Sequence, residues 1–122
     1  THPQADLDRG FAAICAIHFR TALNLARLFR ARDRFLSQGG KLPAIEAGCS
    51  EMISILRAEI SNSEASLPIL KRDARIGYGY CYGIVYDTQM VREKIEQLQF
   101  VINREIPELQ SGLHFHLHGV FT

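Results

Sequence analysis

The chain has 122 residues, with 14 Lys and Arg against 13 Asp and Glu, and a formal charge of +1. At 47% hydrophobic and 22% charged residues it can build one core, which excludes a disordered tail. The balanced charge argues against nucleic acid as a dedicated partner, and no run approaches the roughly 18 apolar residues of a membrane span.

The N-terminus, Thr1 to Asp6, has neither an initiator Met nor a signal-peptide pattern, as expected of a processed chain or an excised domain. From about residue 5 to 37 the sequence predicts one long helix. Leu7, Phe11, Ile14, His18, Ala22, Leu25, Phe29 and Leu36 step by threes and fours, interrupted at Arg32. Asp6 or Asp8 is the expected N-cap, and Gly39 and Gly40 are the expected terminator, because glycine enters the left-handed C-cap conformation without a Cβ clash.

A second helix is predicted over 43–61, opened by Pro43 and carrying Leu42, Ile45, Cys49, Met52, Leu56 and Ile60 as its apolar stripe. The short connection makes it an antiparallel neighbour of the first. Gly48 weakens this helix locally and allows close approach of a partner. Ser61, Asn62 and Ser63 either end or interrupt it, and Ser66, Leu67 and Pro68 can begin another short turn. Residues 73–83 alternate tyrosines with small residues, a period of two that also suits a glycine-rich loop. The preferred reading is a loop leading into a helix.

The last helix is predicted over 87–105, with Asp87 as N-cap and Val91, Ile95, Leu98, Ile102 and Ile106 as its stripe; Pro107 is expected to stop it. Residues 113–122 alternate and read as extended. The predicted fold is thus mainly α: an antiparallel bundle of three to four helices over residues 1–112, with a Gly/Tyr loop. Residues 113–122 would be a separate extended tail, which needs a partner strand that the rest of the sequence does not offer.

Several residue sets carry candidate chemistry. His114, His116 and His118 share one face of an extended segment and offer part of a metal site, although three alternating side chains on one strand cannot all chelate easily. Arg20, Arg27, Arg30 and Arg34 line one side of the first helix, within a block of net charge about +4 over residues 20–34. They read as a solvated face paired with Glu46, Glu51 and Glu59, in preference to a phosphate-binding stripe. His18 reads as a hydrogen-bonded core histidine. Glu59 and Asn62, three apart, share a face and read as a polar cluster near a helix end. Acid–base work would need a second carboxylate, for which Asp73 is the candidate. Cys15, Cys49 and Cys81 are dispersed among apolar neighbours and read as inert thiols, with the compartment left open. Tyr78, Tyr80, Tyr82 and Tyr86 can form a stacking surface for a sugar ring, with Asp73 and Arg75 as a polar grip; an interface role is the equal alternative. No cofactor is implied.

Glu59 with Asn62, Leu67 with Pro68, the run Asp73, Arg75, Ile76, Gly77 and Tyr78, and Lys94, Ile95 and Leu98 together resemble a known pattern. It is that of the helical region following the catalytic barrel in certain large bacterial glycoside-hydrolase-like proteins. These are similar to β-N-acetylhexosaminidases and α-glucuronidases, and many have no assigned activity. The resemblance spans roughly residues 18 to 108, and it implies that the extended tail at 113–122 is the start of a following β-domain. It implies a non-catalytic accessory domain whose partners are adjacent domains of a longer chain and, through Tyr78, Tyr80 and Tyr82, a carbohydrate. The alternatives from other classes are a free-standing helical module that oligomerises through surplus apolar face, and a small metal-binding protein using the histidine tail.

Overall fold

The computed structural model describes residues 3–38, 42–72 and 86–112. Three helices occupy them in order: α1 (Pro3–Ser37), α2 (Leu42–Arg72) and α3 (Thr88–Phe100). The last continues through a π-helical turn, Val101–Glu105, into helical residues 106–112. The described residues are nearly all helical and contain no strand. The expected Gly/Tyr loop and extended tail lie outside them.

The side-chain pairs define the topology. Ile17 meets Asn62, Thr21 meets Glu59 and Arg34 meets Glu51, so numbers fall along α2 as they rise along α1. Tyr86 meets Ser66 and Lys94 meets Glu59, so α3 is likewise antiparallel to α2. α2 is the central helix, and α1 and α3 flank it.

The face that α1 buries differs from the expected stripe. Gly10, Ile14, Ile17, Asn24 and Ala31 are buried, while Phe11, Leu25, Phe29 and Leu36 stand about half exposed or more. The buried seam runs through Gly10, Ile14, Ile17, Thr21, Asn24, Leu28, Ala31 and Phe35, alternating steps of four and three. Following the largest apolar side chains picks the neighbouring stripe, because small and polar residues occupy half of the seam. They do so where helices approach closely or exchange hydrogen bonds.

Helix α2 does not end at residue 61, and no new turn starts at Ser66. Asn62, Ser63 and Ser66 are buried inside the helix, facing its neighbours, and Ser66 Oγ returns a 2.7 Å hydrogen bond to the Ser63 carbonyl. Asn62 spends its polarity on Ile17, Thr21 and Arg20 of α1, and Ser66 Oγ accepts from the Tyr86 hydroxyl, so neither terminates the helix. Pro68 is accommodated within α2 on its exposed side. Neither Asp6 nor Asp8 caps α1: the helix begins at Pro3, and Asp6 sits in its first turn as a favourable charge, paired with Arg9.

Asp87 does cap α3, its carboxylate accepting from the Met90 amide at 2.8 Å. Asp87→Ala is expected to cost about 1 kcal/mol, read as a lower urea midpoint with an unchanged slope. Pro107, in contrast, does not stop the helix. The π turn precedes it, and the Ile106 amide reaches back to the Val101 carbonyl. A widened turn relieves the contact a proline ring makes with the preceding turn, and keeps Ile102 and Ile106 both buried.

The core has two apolar ends. One gathers Ala31, Ile45, Cys49, Met52, Leu56, Ile102 and Ile106; the other gathers Ile14, Ile17, Leu70, Val91 and Ile95. Ile60 touches both. Between them lies a layer of polar side chains.

Candidate functional site: a buried polar layer beside an apolar cleft

Glu59, only 7% exposed, is the centre of that layer. Its Oε1 accepts from Asn24 Nδ2 at 2.9 Å and Asn62 Nδ2 at 3.2 Å. Its Oε2 accepts from Thr21 Oγ1 at 2.7 Å and Lys94 Nζ at 2.5 Å. Asn62 extends the network: Nδ2 also points at the Ile17 carbonyl (2.9 Å) and Thr21 Oγ1 (3.0 Å), and Oδ1 accepts from Arg20 Nε at 3.0 Å. One carboxylate thereby ties all three helices together.

Burial pushes the Glu59 carboxyl up, but hydrogen bonds from Lys94, Thr21 and Asn24, with the Lys94 charge, outweigh it and hold the group below the usual carboxylate value. A group depressed in the folded state stabilises the fold above its unfolded pKa, and that contribution is lost as pH falls through the folded value. Stability should therefore decline from about pH 4.5 downward. Glu59→Gln should shrink the difference between urea midpoints at about pH 6 and about pH 3; an unchanged difference would remove Glu59 from the acid response.

A carboxylate with both oxygens saturated by donors and held charged is a poor general acid or base, which needs a pKa near the working pH. The arrangement fastens helices and is not set up to move protons. His18 adds to this picture. Burial first, then the Lys94 charge, lowers its pKa, and Glu59 partly offsets them. Its ring lies tilted against Tyr86, centroids 4.8 Å apart, and the Tyr86 hydroxyl donates to Ser66 Oγ at 3.3 Å.

Beside Glu59 and Lys94 a cleft of about 140 Å³ opens between α1 and α3, walled by Leu25, Leu28, Ile55 and Leu98. On the other side of α1, a wider groove carries Arg20, Arg27 and Leu23 against Ser61 and Asn62 of α2. Of the pairings expected of the arginine face, Arg34 pairs with Glu51, whereas Arg20 donates to Asn62 and Glu59 pairs with Lys94. Cys49 is buried, and burial pushes its thiol pKa up, while Cys15 is half-buried.

Of the residues singled out in the sequence, Glu59, Asn62 and His18 come together near Lys94. Their polar cluster sits mid-helix, not at the helix end the sequence suggested. Asp73, Arg75, Tyr78, Tyr80 and Tyr82, like His114, His116 and His118, lie outside the described residues. Thr21, Asn24 and Lys94 were not anticipated. Their signal is positional: Thr21 and Asn24 continue the Ile14 and Ile17 seam, and Lys94 lies three residues after Val91 and four before Leu98, on the inward side of α3.

Comparison with protein-family models, curated proteins and solved structures finds no match. Among the described residues no helix is long and apolar enough to cross a membrane, and no group of three or more His, Cys, Asp or Glu is placed to hold a metal ion.

Proposed function

We propose that this chain is a non-catalytic helical packing domain, an accessory unit of a larger protein, that works by docking the uncovered sides of α1 against another protein surface. The observation that supports this reading is the make-up of α1. Between Phe11 and Phe29 its only polar residues are His18, Arg20, Thr21, Asn24 and Arg27. Yet α2 and α3 cover only part of its circumference: Phe19 is 78% exposed, with Phe11, Leu23, Leu25 and Phe29 each near half. A helix that is apolar nearly all round belongs inside an assembly.

Hydroxyl-radical footprinting tests this. Phe11, Phe19 and Phe29 should be strongly labelled on the isolated chain and protected in the intact native polypeptide; equal labelling would sink the docking role. The carbohydrate-active parent follows from the resemblance of residues 18–108. Its sugar contact is checked separately: mono- and oligosaccharides should shift the resonances of Tyr78, Tyr80 and Tyr82, and silence there leaves the packing role alone.

A further inference from the structure

We infer that the groove between α1 and α2 seats an acidic helix of the surface against which α1 docks. The inference rests on the docking role proposed above and names the chemistry of the partner.

Charge carries it first. Arg9, Arg20, Arg27 and Arg34 share one flank of α1, on the opposite side of the buried seam from His18 and Leu25. The two ends of this row are neutralised, Arg9 by Asp6 and Arg34 by Glu51. The middle two are not. Among the described residues neither Arg20 nor Arg27 has a carboxylate partner, and no acidic side chain lines the groove they face. Glu59, which Asn62 touches, is already taken by Lys94. Two uncompensated cations on one concave surface fit an anionic occupant.

Arg20 is also held in place. Its Nε donates to Asn62 Oδ1 at 3.0 Å, and Asn62, only 7% exposed, is itself fixed by the Ile17 carbonyl and Glu59. That bond orients the guanidinium at the edge of the groove. It leaves both Nη groups without a partner among the described residues, as a fork that matches a carboxylate bidentately.

Spacing then selects a helix. Arg20 and Arg27 lie one heptad apart, about 10.5 Å along α1. Carboxylates seven residues apart on a second helix have the same separation. On an extended segment, side chains of one face recur about every 6.7 Å, so acids fall short at one step and overshoot at two. The groove has room for such a partner. It holds about 450 Å³, with Ala58, Ser61 and Ala65 of α2 facing the arginines across it. Leu23, half exposed between the two arginines, supplies an apolar contact.

The probe is a lactam-bridged, alanine-based helical peptide with two glutamates seven residues apart. It is titrated into the isotope-labelled full chain beside its glutamine counterpart and inorganic phosphate. The glutamate peptide should shift the Nε–H resonances of Arg20 and Arg27 and the amides of Ala58, Ser61 and Ala65, and its binding should weaken as salt rises. Arg27→Glu should raise the dissociation constant about tenfold or more, the scale of one charge-assisted hydrogen bond. Ala65→Trp, which fills the groove, should remove the response at Arg20. Helix content should stay unchanged in both variants, because Arg27 and Ala65 are exposed. Absence of shifts at Arg20 and Arg27 overturns the inference. So does a glutamine peptide that binds as tightly, or phosphate shifting these resonances where the glutamate peptide does not. None of these outcomes touches the docking role, which footprinting reads at Phe11, Phe19 and Phe29, outside the groove. Equal labelling of those rings fails the docking role even where the peptide binds.

Discussion

Glu59→Ala is expected to lower the unfolding free energy by about 3–5 kcal/mol, the range for removing one partner from a buried charged pair. Here the loss comes from the neutral donors as much as from the cation. Asn24 is itself buried and would keep an amide with no acceptor where Glu59 Oε1 now stands, at about 1–3 kcal/mol for such a group. Thr21 and Asn62 each lose one partner, though Asn62 retains the Ile17 carbonyl and Arg20. Lys94, with a third of its side chain exposed, can swing to water, so its Coulomb contribution is discounted for screening. Lys94→Met should therefore cost less, about 1–3 kcal/mol, because the carboxylate keeps three neutral donors. Urea unfolding of both variants checks the order. A Glu59→Ala loss under about 1 kcal/mol, or a Lys94→Met loss exceeding it, would contradict the assignment of the donors as the larger share.

The position of this layer gives it a second consequence. It lies between two apolar clusters that could tolerate sliding, since Ile, Leu and Val side chains make few directional demands. The carboxylate has one geometry in which Thr21, Asn24 and Lys94 all reach it, so it fixes the register of α1 and α3 on α2. A single polar residue in an otherwise apolar seam specifies register in this manner.

How much of this was legible in the sequence follows from what each pattern reports. Periodicity located all three helices, and Asp87 was found because an N-cap is a local chemical requirement. Periodicity failed on which face of α1 is buried. The helix carries two interleaved seams one residue apart, and the exposed one holds the larger side chains: Phe11, Leu25, Phe29 and Leu36 against Gly10, Asn24 and Ala31. A ranking by hydrophobicity cannot separate a seam facing α2 from one left exposed. Asn62 and Ser63 read as ending or interrupting the helix, and Ser66 and Pro68 as starting another turn, because those are their local preferences. At Asn62 and Ser66 tertiary partners overrode that preference, and no sequence window contains those partners. Glu59 and Asn62 were correctly placed on one face, but Lys94 lies 35 residues from Glu59 and enters only through the fold.

Gly48→Ala should destabilise the chain, although the same change in an exposed helix interior would stabilise it. Alanine is worth about 1 kcal/mol more than glycine within a helix. Gly48, however, is buried against α1, and a Cβ there would overlap Cδ2 of Phe35 and lie 3.3 Å from its Cε2 and Cγ. Those atoms belong to a rigid ring packed onto the cluster of Ala31, Ile45 and Cys49, so the ring cannot yield without moving its neighbours. Overpacking of this kind costs about 1–3 kcal/mol, and the net effect should be a loss of about 1–2 kcal/mol. Removing the ring reverses the sign. In a Phe35→Ala background, Gly48→Ala should raise stability by up to about 1 kcal/mol, because only the helix-propensity gain remains. Measured against each parent by urea denaturation, the two effects should have opposite signs. A stabilising Gly48→Ala in the native background would mean that α1 and α2 are not held as closely as the Phe35 contact requires.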